Sequence, residues 1–146
     1  MKTGSFALLR NEGLTPNAVS IALGKSKYYE VYHNYKKLAP SWSLLCDFRD
    51  DKITEEEYVA IYNKQLQKLN AKQVYDELLE MTCGNEPILM CHCGKQYFCH
   101  RHLVAEWLEN ELGIKVDEYN CPDKIHKDGY LIDKPVEKKS FQLMLF

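Results

Sequence analysis

Hydrophobic positions change period twice along this chain, from short apolar runs to a helical stripe and back again. Phe6-Ala7-Leu8-Leu9 and Ala18-Val19-Ser20-Ile21-Ala22-Leu23 are brief apolar runs separated by Asn11, Gly13, Pro16 and Asn17. They predict two strands, or one strand and an irregular loop. Lys25 to Pro40 shows no clean period. Thr54-Glu55-Glu56-Glu57 then has the form of a capping box, and Tyr58, Ile61, Tyr62, Leu66 and Leu69 fall on one helical face. Asn70 with Gln73 starts a second helix carrying Val74, Leu78 and Met81. Cys83-Gly84-Asn85-Glu86-Pro87 breaks it.

Ile88-Leu89-Met90-Cys91 is a continuous apolar run of the kind buried in a parallel sheet. From His100 to Leu112 the stripe Leu103, Trp107, Leu108, Leu112 predicts a helix, which Gly113 stops. Ile114 to Tyr119 resumes as a strand. Residues 88–119 thus read as one right-handed crossover joining a parallel pair of strands. The expected fold is a single three-layer α/β domain over residues 1–130. Lys134-Pro135-Val136-Glu137-Lys138-Lys139-Ser140 is charged, contains proline and has no core face, so residues 131–146 are expected to form a flexible tail.

Composition narrows the function classes. A chain of 146 residues with 45% apolar and 27% charged positions can bury a real core without metal or disulfide support. A formal charge of -2 gives no global attraction to nucleic acid, so any such contact must be local. No window reaches the apolar length of a membrane span, and Met1 to Arg10 lacks a secretory h-region. The cytoplasm is therefore the expected compartment, and the six cysteines read as reduced thiols.

Chemistry concentrates in Cys91-His92-Cys93-Gly94-Lys95-Gln96-Tyr97-Phe98-Cys99-His100-Arg101-His102. This stretch spans the end of a buried strand, a loop and a helix start, where α/β proteins place their ligands. The helix start favours an anion, and Arg101 would add a planar charged fork for phosphate or carboxylate. Cys99 at that terminus should gain thiolate character, and His100 could move protons near neutrality. Cys91, Cys99, His100 and Arg101 are the candidate catalytic residues. Plain packing of the two cysteines with a salt-bridged arginine is the competing reading.

Spacing tests exclude two chemistries. An arginine six residues after a nucleophilic cysteine would mark a phosphatase loop, but Cys99 follows Cys93 and Tyr97 follows Cys91 at that distance. The His-x-Glu and Pro-Cys-x-x-Cys of a zinc deaminase are absent. Structural zinc could draw on Cys91, Cys93, Cys99 and one of His100, His102 or Cys121. Against it, Cys-x-Cys followed by Cys-His is not a usual finger spacing, and alternate strand residues face opposite ways. No cofactor is expected, with zinc the lesser alternative.

Pro87 to Cys91, then Cys99-His100-Arg101-His102-Leu103-Val104-Ala105-Glu106-Trp107-Leu108, resembles the signature of the domain of unknown function 488 family. Thr3 to Ala7, Ser20 to Ala22 and Tyr35 to Pro40 are similar to its other recurring pieces, so the likeness covers about residues 1–120. It implies a compact Rossmann-like domain with a mostly parallel sheet, in bacteria or their phages, and brings no established reaction. Cys91, Cys99, His100 and Arg101 match its motif. Ser5 and Tyr35 match less distinctive pieces, whereas His92 and Cys93 are departures.

Two further segments bear on partners. Between Lys25 and Lys37 lie four lysines, His33 and the tyrosines Tyr28, Tyr29, Tyr32 and Tyr35. Lys25, Lys27, Lys36 and Lys37 could neutralise phosphates while Tyr35 stacks on a base. Alternatively the tyrosine rings line the core and the lysines solvate the outside. Gln142-Leu143-Met144-Leu145-Phe146 at the terminus resembles the Gln-Leu-x-Leu-Phe pentapeptide by which bacterial proteins grip the DNA polymerase sliding clamp, the beta clamp. The other reading is a final strand with Phe141, Leu143 and Leu145 inward. The expectation is a DNA-associated protein recruited by the clamp and acting on nucleic acid or nucleotides. Its rivals are a non-catalytic clamp competitor and a small-molecule enzyme with a localising tail. No membrane partner is expected.

Overall fold

Local signals account for most of the elements. The structure, a computed structural model, describes residues 1–7, 9, 16–24, 31–94 and 97–135. Strands β1 (Lys2–Ser5), β2 (Ala18–Ser20) and β3 (His33–Asn34) precede a 3-10 turn at Lys36–Leu38. Helices α1 (Trp42–Arg49), α2 (Glu55–Gln67) and α3 (Ala71–Met81) follow, then β4 (Ile88–Cys91), α4 (His100–Leu112) and β5 (Asp117–Glu118). A hairpin of β6 (Lys124–Lys127) and β7 (Tyr130–Asp133) comes last.

The capping box forms as read. Glu57 N donates to Thr54 Oγ1 at 3.2 Å and Thr54 N to Glu57 Oε1 at 3.1 Å. Asn70 Oδ1 accepts from Gln73 N at 3.0 Å, and Gly113 ends α4 in the left-handed region with φ 65°. One position corrects the predicted stripe of α2. Tyr58, Tyr62 and Leu66 are buried, but Ile61 is exposed, because the core covers a narrower arc than the apolar spacing implied.

The sheet order is β3-β2-β4-β1-β5, and every pairing in it is parallel. The α/β class and the mostly parallel, Rossmann-like sheet flanked by four helices agree with expectation. The crossover unit needs correction. β4 and β5 are not neighbours, because β1 lies between them and pairs with both. Alternate strand residues serve the two faces. Val19 and Leu89 share a core with Leu44, Tyr62, Leu78 and Leu108 from the four helices. Ala18, Ile88 and Met90 share another with Phe6, Leu9 and Ala22.

The hairpin turns on Asp128 and Gly129, whose φ values of 50° and 90° suit a two-residue turn between Lys127 and Tyr130. It carries ordered structure to Asp133, beyond the expected domain end at 130. Residues 136–146, which hold the clamp-like pentapeptide Gln142 to Phe146, lie outside the described residues, as do Lys25 and Lys27. Among the described residues, no helix is long and apolar enough to cross a membrane.

Candidate functional site

The chain leaves β2 toward β3 on one side and leaves β4 toward β5 on the other. The β2/β4 junction is therefore the switch point of the sheet, where its carboxyl ends open. Cys91 closes β4 in register with Ser5 at the end of β1. Cys99 is the N-cap of α4, so all four candidate catalytic residues meet at this junction. The sulfurs of Cys91, Cys93 and Cys99 lie within 4.8 Å of one another.

Cys91 and Cys99 form a close sulfur pair, while Cys46, Cys83, Cys93 and Cys121 are free. Their Cα atoms are 7.9 Å apart, wider than the roughly 4.4–6.8 Å that a disulfide spans. The two sulfurs are nonetheless in bonding contact.

Arg101 departs most from the role expected of it. It is fully buried, with Nε donating to Glu118 Oε1 at 3.1 Å and Nη2 to Glu118 Oε2 at 2.8 Å. Its Nη1 donates to Cys91 Sγ at 3.1 Å and to the Cys93 carbonyl at 2.7 Å. The guanidinium thus faces a carboxylate and a sulfur rather than a substrate phosphate. It ties the start of α4 to β5 and to the end of β4. Nor is the helix start an open anion site, since Cys99 N donates to Gly129 O at 2.9 Å and the first turn is buried.

His100 is also turned inward. Its Nε2 meets the Ile21 carbonyl at 2.8 Å just beyond β2, and its ring packs edge-on to Tyr62. Burial lowers its pKa to about 4, so it is neutral at pH 7 rather than poised to exchange protons there. Burial raises the Cys93 thiol, an effect that the Arg101 charge partly offsets.

A second polar group lies beneath, and sequence reasoning missed it. Thr3 Oγ1 donates to Glu118 Oε1 at 2.7 Å and sits 3.2 Å from His126 Nε2. Its single proton is spent on Glu118, so Thr3 accepts from His126 Nε2–H. Neutral His126 then accepts at Nδ1 from His102 Nδ1–H, 2.7 Å away. His102 Nε2 is left as a buried acceptor without a hydrogen-bond partner among the described residues. His102, Glu118 and His126 have metal-ligand atoms close together, but Glu118 already serves Arg101 and Thr3. The thiol group is the better cation candidate.

Burial, with the charge of Arg101 adding to it, holds His102 down to about 2, and burial lowers His126 as well. In the unfolded chain both protonate near 6.5. Below that pH the unfolded state binds more protons, so stability present at neutral pH is lost as pH falls from 6.5 toward the folded values. Denaturant unfolding should show a loss approaching about 1.4 kcal/mol per pH unit for each histidine well below pH 6.5. An unfolding free energy unchanged between pH 7 and 5.5 would contradict the neutral buried pair.

Tyr35, Lys36 and Lys37 of the predicted nucleic-acid segment have internal partners, whereas Tyr32 is exposed. Tyr35 is buried and its hydroxyl donates to Glu77, leaving no exposed ring face for base stacking. Lys37 Nζ bonds both Glu77 oxygens at 3.1 Å, and Lys36 Nζ bonds the carbonyls of Ala22 and Leu23. Ser5, at the end of β1, is half-buried. Two surface grooves lie away from the thiols and have acidic linings, one with Glu106, Glu111 and Asp128, the other with Glu55, Glu56 and Asp128.

A family model described as the active DUF488-N3 subclade matches residues 13–112. No curated protein and no solved structure matches significantly. The matched region runs from residue 13 through Leu112 at the end of α4 and includes Cys91, Cys99, His100 and Arg101. It spans well over half the sequence, and the chain belongs to the DUF488-N3a family.

Proposed function

We propose that this chain is a DNA-associated protein delivered by the bacterial sliding clamp, acting on nucleic acid or nucleotides at the carboxyl end of β4. The terminal Gln142-Leu143-Met144-Leu145-Phe146 carries the reading, because without it nothing directs a mildly acidic chain to DNA. Burying Leu143, Leu145 and Phe146 in clamp pockets would gain about 1.5–3 kcal/mol each before the cost of ordering the tail. That balance corresponds to roughly micromolar binding, which suits recruitment rather than permanent assembly. Residues 134–140 then act as the tether that raises the local concentration of the α/β domain at DNA.

Convergence of three sulfurs and an imidazole at the switch point supports a site there. In this reading Arg101 is a positioning residue, holding a positive charge 3.1 Å from Cys91 Sγ. Cys91 and Cys99 act as nucleophile or as ligands. One observation favours a second reading, a non-catalytic competitor for the clamp. Cys91, Cys99, His100 and Arg101 are all buried, out of direct reach of a substrate.

A pull-down on immobilised bacterial clamp tests recruitment. Wild type should be retained, and Gln142→Ala with Leu145→Ala should reduce recovery to background. Equal recovery of both proteins removes the clamp from the account. Deleting residues 141–146 separates the two readings, since an enzyme keeps turnover of free substrate and a competitor loses all effect.

A further inference from the structure

We propose that Cys91, Cys93 and Cys99 together bind one thiophilic divalent cation, with zinc the best fit, at the end of β4. The inference goes beyond clamp delivery and stands without it. The three sulfurs all lie within 4.8 Å of one another. Zinc–sulfur bonds of about 2.3 Å in a tetrahedron place ligand sulfurs roughly 3.8 Å apart, so a cation entering here parts the sulfurs of Cys91 and Cys99, which are in contact. His100 Nδ1 lies beside the group, 3.9 Å from Cys99 Sγ.

The neighbouring imidazole is fixed in one tautomer. A carbonyl only accepts, so the Ile21 contact at 2.8 Å holds the proton on Nε2 and leaves Nδ1 with its lone pair on the Cys99 side. Charge is matched as well. Three thiols release their protons to solvent on binding, so the cation and three thiolates carry one net negative charge. Arg101 stands against that charge, with Nη1 3.1 Å from Cys91 Sγ.

Neither objection from spacing holds in the fold. β4 ends at Cys91, so Cys93 lies past the pleat that would turn alternate residues to opposite faces. Its carbonyl is pinned by Arg101 at 2.7 Å, which bends the loop back toward Cys91. The separation of 7.9 Å between the Cα atoms of Cys91 and Cys99 is wider than a disulfide usually spans, which leaves room for the two sulfurs to part around a metal. Cys91 and Cys99 are 1% and 3% exposed, a setting that suits metal ligands. Three cysteine ligands leave the fourth position of a tetrahedron open.

The test uses the full chain, purified anaerobically without added metal. Elemental analysis should find one zinc per chain. After chelation, cobalt(II) titration of the reduced protein should develop the visible absorption of tetrahedral cobalt–thiolate, saturate at one equivalent and reverse with zinc. Cys46→Ser, Cys83→Ser and Cys121→Ser combined should leave that titration unchanged, since none of the three belongs to the group. Cys93→Ser should weaken cobalt binding by about 100-fold or more, a ligand costing more than an outer-shell partner. A reduced wild-type chain without the cobalt–thiolate spectrum overturns the proposal. So does a spectrum that survives in Cys93→Ser and vanishes in the triple variant, or a Cys91–Cys99 disulfide in the anaerobic preparation. Clamp retention is read on the tail, so failure of either proposal leaves the other standing.

Discussion

Replacing Arg101 with methionine is expected to cost about 3–5 kcal/mol of folding stability, the range for stripping the partner from a buried charge. Nothing in the exposed surface signals such sensitivity. The cost arises because Arg101 is fully buried and Glu118 is 2% exposed, so water cannot replace either partner. Glu118 would be left with Thr3 alone among the polar side chains now bonded to it, and would have to take up a proton or remain a buried charge. Glu118→Leu should fall near the same range, since it strands the guanidinium instead.

The double variant Arg101→Met with Glu118→Leu should recover a large part of either loss. Hydrophobic pairs often replace buried ion pairs at little net cost, because the pair itself pays heavily for desolvation. Urea unfolding of the four proteins measures the coupling directly. Single-variant losses within about 0.5 kcal/mol, the usual range for a surface position, would show that the pair is not the joint between α4, β4 and β5.

Gly129→Ala should be the next most damaging single change, by about 2–4 kcal/mol from strain and overpacking combined. Gly129 has φ 90°, a conformation that side chains rarely adopt. A Cβ there would lie 2.2 Å from Phe98 Cε2 and 2.6 Å from Cδ2. The Phe98 ring cannot swing clear, because Phe48, Tyr58 and Tyr130 pack around it at centroid distances of 5.1–5.5 Å. The damage should reach the thiol centre, since the Gly129 carbonyl holds the Cys99 amide. Gly24→Ala is the matching control, with no atom within 4 Å of its added Cβ, and should change stability by less than about 0.5 kcal/mol. Equal melting temperatures for Gly129→Ala and Gly24→Ala would refute this account of the turn.

What could be read in advance was what neighbouring residues determine. Thr54 with Glu57, Asn70 with Gln73, and Gly113 after Leu112 each use residues within a few positions, and each forms as expected. Ser41 before Trp42 offered the same kind of signal and marks the N-cap of α1. Asp128-Gly129 between Ile125-His126 and Tyr130-Leu131 is likewise a strong hairpin signal, although sequence reading placed the domain boundary there.

The rest depends on contacts far apart in the chain. Thr3 meets Glu118 across 115 positions and His126 across 123, and no local period encodes such meetings. For the same reason β1 slips unannounced between β4 and β5. Arg101 and His100 are buried and bonded to internal partners. The motif places them at the helix start, but the partners that consume them come from β5 and from the end of β2. Two adjacent acidic residues, Asp117 and Glu118, stand in the strand region, and no local pattern says which of them is buried against Arg101.

Binding to primed DNA with and without a loaded sliding clamp tests clamp-directed DNA association most directly. The full chain should bind clamp-bearing DNA with roughly micromolar affinity and bare DNA far more weakly, because its surface carries no net positive charge to hold phosphate. Gln142→Ala with Leu145→Ala should abolish the difference. Equal affinity for the two DNAs, or clamp-dependent binding that survives in the variant, would contradict delivery through the tail.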